Sequence, residues 1–275
     1  MKKLFFLLFM MSIVFVLQSC KEKEPVNEEK AIESEDAKLL AYATKRVDDI
    51  FDFLVGYGFD ETVYNYAQDN LPSCTSYTQN ATGPNSLHET WDFSNTGCLL
   101  SNNITYKGKL STDRNSGQYM SDFTGNMSFD NFYVNDVLVE GSIDFDVKLG
   151  FVDSQSEFTF DLSLQTPSGK NILVTGTITR KFVDGADTGN RDDDIFRIDG
   201  DYDVTIDEKF YRVYLSENNL FRDITCGYFN YGIFNIRHRK HTSYLDVGAD
   251  DGECDRKAVL YDDSHEKYAV IQLME

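Results

Sequence analysis

Short segments of alternating hydrophobic and polar residues run along most of the chain beyond residue 73. Apolar residues hold every second position over 143–149 and 158–164, with Asp, Lys, Ser or Thr between them. This period is typical of strands that bury one face. About a dozen such segments, separated by turns such as Asn135-Asp136 and 166–169, predict a mainly β fold. We expect an antiparallel β-sandwich or a long curved sheet or barrel.

A helical period precedes the strands. Apolar residues recur every three or four positions from about Asp36 to Gly56, namely Leu39, Ala43, Val47, Ile50 and Leu54. This spacing predicts an N-terminal α-helix that packs on the sheet, and a partner-binding helix is the alternative. A short second helix over 60–70 would complete a helical segment spanning 37–72.

The first twenty residues have the layout of a secretory signal. Three residues with two lysines precede an apolar run over 4–17, which ends in Leu17-Gln18-Ser19-Cys20. This ending resembles the lipobox of bacterial lipoproteins. The resemblance implies removal of residues 1–19, lipidation of Cys20 with acyl chains such as palmitate, and a mature protein tethered to a membrane.

The segment 20–36 is charged and nearly free of large apolar residues, so we expect a flexible tether. Its start, Lys21-Glu22-Lys23-Glu24, looks like the acidic surface-export signals of Bacteroidota lipoproteins. The alternative is a solvated spacer that carries no export signal. We therefore expect an outer-membrane lipoprotein that faces either the cell surface or the periplasm.

The composition narrows the classes of partner. A formal net charge of −20 repels phosphate backbones, so we expect no nucleic-acid partner. The chain has 16 Tyr and 21 Phe residues but only four Pro, a composition that favours strands. No apolar stretch beyond Cys20 is long enough to span a bilayer.

The cysteines suggest disulfides. Setting Cys20 aside leaves an even number in an exported chain, namely Cys74, Cys98, Cys226 and Cys254. Four cysteines allow three pairings, and we favour Cys74–Cys98 and Cys226–Cys254 because each pair brackets one local β segment. Free or metal-bound thiols are the alternative, although the chain has no CxxC pair.

A weak internal repeat links these pairs. Trp91-Asp92-Phe93 precedes Cys98, and Leu245-Asp246-Val247 precedes Cys254, with a polar turn containing glycine in each case. We predict a β domain over 73–275 with two related halves at about 73–165 and 166–275.

Several segments resemble a family of Bacteroidota outer-membrane lipoproteins. They are Asp92-Phe93 with Gly97-Cys98, Tyr106-Lys107-Gly108-Lys109-Leu110, Phe129-Asp130-Asn131-Phe132-Tyr133-Val134-Asn135, Val139-Glu140-Gly141, and Asp246-Val247-Gly248 with Gly252-Glu253-Cys254-Asp255. The resemblance covers most of 74–275 and implies an exported β protein with disulfides. It brings no established activity and no catalytic positions.

Candidate sites for chemistry are few. Asp184, Asp187, Asp192 and Asp250 lie in acidic segments that could gather oxygen ligands for calcium, and a solvated acidic loop is the alternative. The basic segment 237–241 could hold an anionic sugar or a lipid phosphate, or form a solvated hairpin tip. On one strand, its His238 and His241 would face opposite sides.

Aromatic side chains suggest a binding role. Trp91 shares a strand face with Phe93, which predicts core, whereas some tyrosines could form an exposed platform for a glycan: Tyr106, Tyr119, Tyr228, Tyr231 and Tyr244. The chain has no GxSxG or HExxH motif. We therefore expect a non-catalytic module that binds a ligand or partner, such as a glycan or an envelope protein. The alternatives are a structural or assembly lipoprotein and a carboxylate-dependent hydrolase.

Overall fold

The computed structural model describes residues 31–55, 72–100, 104–116, 122–148, 154–185, 193–215, 220–248 and 254–274. These residues belong to one compact unit and form one helix and fifteen strands. The fold is mainly β, as the alternating pattern predicted. Three predicted features lie outside the described residues: the signal peptide, Cys20 and the second helix over 60–70.

Helix α1 spans Ser34–Phe53. The strands before the middle of the chain are β1 (Ser76–Gly83), β2 (Ser86–Asp92), β3 (Cys98–Leu99), β4 (Thr105–Ser116), β5 (Asp122–Val134), β6 (Val137–Lys148) and β7 (Gln155–Gln165). The later strands are β8 (Asn171–Asp184), β9 (Ile195–Ile206), β10 (Lys209–Tyr214), β11 (Leu220–Asp223), β12 (Gly232–His238), β13 (His241–Val247), β14 (Lys257–Tyr261) and β15 (Lys267–Gln272).

All the strands join one antiparallel sheet. Its order is β1-β2-β4-β5-β6-β7-β8-β9-β10-β12-β13-β14-β15, with β3 beside β4 and β11 beside β9. The sheet is open rather than closed into a barrel. Strands β7 and β8 pair over eleven residues, so the sheet runs without a break across the boundary at 165/166 between the two predicted halves.

Helix α1 is enclosed rather than laid on a surface. Every residue from Leu39 to Val55 is buried, the pattern of a helix inside a core. Phe53 contacts Trp91 on β2, Phe51 stacks on Phe158 of β7, and the two ring pairs have centroids 5.7 and 3.9 Å apart. The helix therefore lies against widely separated strands.

Polar contacts extend this enclosure to the other end of the sheet. Thr44 hydrogen-bonds the Tyr202 hydroxyl of β9 at 2.8 Å, and the Tyr268 hydroxyl of β15 donates to the carbonyl of Ile32 at 3.0 Å. Because strands from β2 to β15 reach the same helical segment, the sheet curves around α1. The buried Ile32 also places the start of the folded part before Asp36, where the tether was expected to end.

Three of the segments that carried the family resemblance meet at Gly108. Its N–H donates to the Ser94 carbonyl at 3.1 Å, and its carbonyl accepts from the N–H of Phe93 at 2.9 Å. The β4–β5 register shifts at this point, opposite Asn131, which has a positive φ of 47°. These motif residues thus build a bulge that bends two neighbouring strands.

Candidate functional site

The predicted calcium site is only partly visible. Asp187, Asp192 and Asp250 lie outside the described residues, and Asp184 accepts a hydrogen bond from the N–H of Gly185 at 3.0 Å. Among the residues that the structure describes, no three His, Cys, Asp or Glu side chains are grouped to hold a metal. No described helix has both the length and the apolar character needed to cross a membrane.

Both disulfides are present, in the pairing that the sequence favoured. Cys74 is bonded to Cys98, and Cys226 to Cys254. The first bridge attaches the segment before β1 to β3, and the second attaches the turn after β11 to the segment before β14. The cysteines therefore brace the fold.

The basic segment forms the hairpin tip that the sequence offered as one of two alternatives, so its two histidines do not share one strand. His238 ends β12 and His241 begins β13, and the two residues are paired across a hairpin whose turn is Arg239-Lys240. They therefore occupy the same cross-strand position rather than opposite faces of one strand. The segment is a hairpin tip, in which His241 Nδ1 lies 3.5 Å from Asp263 Oδ2.

The interior of the curved sheet holds an ionic cluster. Three carboxylates on α1 face two cations from the same helix and two from strands β8 and β11, so that seven charged residues meet among the described residues: Lys45, Arg46, Asp48, Asp49, Asp52, Arg180 and Arg222. Each of these side chains is at most 8% exposed. The cluster is thus shielded from water on all sides.

The arginines of the sheet reach the carboxylates of α1. Arg222 donates to Asp48, and its second terminal nitrogen lies 3.2 Å from Asp49 Oδ1. Arg180 Nε lies 3.2 Å from Asp48 Oδ1 and Nη2 lies 3.3 Å from Asp52 Oδ1. The Arg180 guanidinium also sits 3.9 Å from the centroid of the Phe196 ring, a cation–π contact.

The ionic cluster has four cations and three carboxylates, and of the four cations Lys45 is the one whose pKa is lowered. Burial, and next the charge of Arg222, lower the pKa of Lys45 to about 8, although Asp49 acts in the opposite direction. Burial favours the neutral acid at Asp49, but Lys45 and Arg222 outweigh it and hold the pKa of that carboxyl below its usual range. Burial also opposes the charge on Arg222, yet Asp48 and its neighbours keep the pKa of the guanidinium above its ordinary value.

The sequence did not reveal this cluster. Arg180 lies 128 residues from Asp52, and Arg222 lies 173 and 174 residues from Asp49 and Asp48. Nothing in the local spacing marks the two arginines, because each sits on a strand beside another charged residue, Lys181 or Asp223. The only available signal was the density of charge on the middle of α1.

A row of tyrosines crosses the opposite, outer face of the sheet. Tyr214 on β10 is paired with Asn235 on β12, Asn235 with Tyr244 on β13, and Tyr244 with Tyr261 on β14. Directly paired residues lie on the same face of a sheet. The positions next to them along each strand are core residues, namely Val213, Ile236, Leu245 and Leu260. We call Tyr214, Asn235, Tyr244 and Tyr261 the tyrosine row.

Asn235 is the buried centre of this row. It is 8% exposed, whereas Tyr214, Tyr244 and Tyr261 are partly exposed. Its amide oxygen Oδ1 is shielded and accepts no hydrogen bond from any described residue. A buried polar atom without a partner costs about 1–3 kcal/mol. Among the described residues, this acceptor is therefore unsatisfied.

Polar groups adjoin the tyrosine row. The His265 ring lies 4.4 Å from the Tyr244 ring, and the Arg212 guanidinium lies 5.6 Å from the Tyr214 ring. Asp246, two positions after Tyr244, shares its face. No hydrogen bond or ion pair joins it to a described residue, and burial raises the pKa of this carboxyl. The row thus combines aromatic rings with one shielded acceptor, and a partly buried carboxylate lies beside it.

The other aromatic candidates divide between core and surface. Trp91 is 1% exposed, as its shared face with Phe93 predicted, and Tyr106 is buried with its hydroxyl donating to the Asp49 carbonyl at 2.9 Å. Tyr231 is 46% exposed and stacks on Phe221 with centroids 4.3 Å apart. Tyr119 lies outside the described residues.

Comparisons of this chain with known proteins found no relative. No protein family, curated protein or solved structure matches this chain.

Proposed function

We propose that this protein is a lipid-anchored envelope protein, held to the outer membrane through Cys20, that binds a ligand or partner without catalysing a reaction. The binding face is the outer face of strands β10 to β14. One observation carries this proposal: α1 fills the concave side of the sheet, so the exposed aromatic residues of the convex side form the available surface.

The anchor is supported by the sequence. Two lysines, an apolar run over 4–17 and a cysteine at position 20 follow one another as in a lipoprotein precursor. In this proposal, the protein is cleaved before Cys20, acylated on that residue and held at the outer membrane, like the Bacteroidota lipoproteins that it resembles.

Hydrolysis has less support than binding. A carboxylate-dependent hydrolase needs acidic groups that a substrate can reach. Asp48, Asp49 and Asp52 converge, but their side chains are at most 2% exposed and are paired with cations. An assembly role is the second candidate, because Val270 is 47% exposed on β15, the last strand in the order.

Site-specific photo-crosslinking in the native envelope tests the binding face. A benzophenone amino acid replaces Tyr244 in the full-length protein, and a control replaces Tyr133 on the outer side of β5. We expect a discrete adduct at position 244 that is missing at position 133. Equal adducts at the two positions, or none at either, would contradict the proposal.

Fractionation tests the anchor in the same cells. We expect the full-length protein in the membrane fraction with an acylated Cys20, and the Cys20→Ala variant without acyl chains and released from membranes. An unacylated wild-type protein would overturn the anchor.

A further inference from the structure

We infer that the tyrosine row binds a neutral carbohydrate chain. This inference rests on the proposed function, since it names the ligand of the same outer face. Adjacent strands of a sheet lie about 4.8 Å apart, so the paired Tyr244 and Tyr261 present neighbouring rings, and Tyr214 lies two strands from Tyr244. The row thus carries three rings across four strands, with Asn235 between Tyr214 and Tyr244.

Aromatic rings of this kind suit the faces of sugars. The face of a tyrosine ring is electron-rich, and the C–H bonds on one face of a pyranose are weakly positive. A sugar can therefore stack on a partly exposed tyrosine while its hydroxyls point sideways. The His265 ring packs against the Tyr244 ring, with centroids 4.4 Å apart, and holds that ring in place.

The polar groups beside the rings match hydroxyls. Asn235 Oδ1 is a shielded acceptor with no donor among the described residues, and the Asp246 carboxylate is likewise without a described partner. Hydroxyl groups are donors that satisfy both. An apolar ligand would leave these acceptors unpaired, so it would bind less well than a sugar.

Charge favours a neutral chain over an acidic one. Arg212, the cation beside Tyr214, already donates two hydrogen bonds to Asp201, at 3.2 and 3.3 Å. Asp246 adds negative charge next to the row, and the whole chain carries a formal charge of −20. The charge of the whole chain therefore disfavours polyanions, whereas Arg237, which is paired with Arg212, places a local positive charge beside the row.

A glycan array tests the inference on the full-length protein in detergent micelles. The array carries neutral glycans such as starch, mannan and xylan oligosaccharides, and acidic ones such as oligogalacturonate. The strongest neutral ligand is then titrated by calorimetry. We expect Tyr244→Ala and Tyr261→Ala to weaken binding about tenfold each.

Matched variants separate binding from folding. Tyr133→Ala, on the outer side of β5, should keep full affinity, and Tyr244→Phe and Tyr261→Phe should do the same because the ring remains. Asn235→Ala should weaken binding about fivefold. Its thermal midpoint should stay within about 2 °C of the wild type, since the lost acceptor had no partner.

Three results would overturn the inference: no neutral glycan binds, only acidic glycans bind, or the alanine variants of the row bind like the wild type. An adduct at position 244 with a protein, together with a blank array, would reject the carbohydrate and leave the proposed function standing. A blank array and no adduct at position 244 would reject both.

Discussion

Arg222 on β11 donates a hydrogen bond to Asp48 on helix α1, 174 residues earlier in the chain, and both side chains are at most 2% exposed. This contact ties the helix to the centre of the sheet. It lies on the concave side of the strands, which α1 occupies. In the proposed function, the ionic cluster therefore leaves the outer face of the sheet for binding.

Removing Arg222 should destabilise the fold strongly. The Arg222→Met variant leaves Asp48 and Asp49 buried with fewer cations, which typically costs about 3–5 kcal/mol. The matched Arg212→Met variant removes a half-exposed ion pair on the outer face, and we expect a loss below about 1 kcal/mol. Urea unfolding at pH 7 measures both. Similar losses for the two variants would show that the ionic cluster is solvated.

Lys45 should make stability depend on alkaline pH. Its pKa is about 8 in the folded protein, below the ordinary value of 10.5. Between these values the unfolded chain binds the proton that folded Lys45 has released, so the free energy of unfolding should rise with pH. The slope is at most about 1.4 kcal/mol per pH unit.

The Lys45→Met variant isolates this effect. We expect its stability to lack the rise between pH 8 and about 9, below the range where tyrosines titrate. The difference between wild type and variant, measured by urea unfolding across that window, is the relevant quantity. A wild-type curve parallel to that of the variant would contradict the lowered pKa of Lys45.

Gly108 should be irreplaceable for a steric reason. It has a φ of +83°, and a Cβ there would lie 1.9 Å from the Asn131 carbonyl oxygen. Gly169 has the same φ, but a Cβ there would meet no atom within 4 Å. Gly169→Ala should therefore cost only about 1 kcal/mol, and Gly108→Ala clearly more.

Chemical denaturation of the two glycine variants gives the comparison. Equal losses would mean that the β4–β5 bulge can shift to accept a side chain.

The sequence predicted the architecture because strand alternation and helical period are local signals. The turn Asn135-Asp136 lies between β5 and β6, with φ values of 47° and 65°, as the hairpin pattern predicted. Curvature could not be predicted in this way. The charged side of α1 could face either water or a second part of the sheet. Contacts with strands more than a hundred residues away decide between the two.

The tyrosine row could be predicted from the sequence only in part. Tyr244 was a candidate for a platform, but Tyr214, Asn235 and Tyr261 were not, because their alignment follows from the pairing of β10, β12, β13 and β14. Spacing along the chain does not encode that pairing. The hairpin tip over 237–241 was one of the two forms that the sequence predicted, but the pairing of His238 with His241 across it was not.

In the proposed function, α1 occupies the concave face of the sheet permanently, so that binding takes place on the outer face. Amide hydrogen exchange of the full-length protein measures this directly. We predict that the amides of Tyr42–Phe53 exchange only through global unfolding, as slowly as those of central strands β6 to β9. Faster exchange of this helical segment, at the rate of the terminal strand β1, would contradict the account.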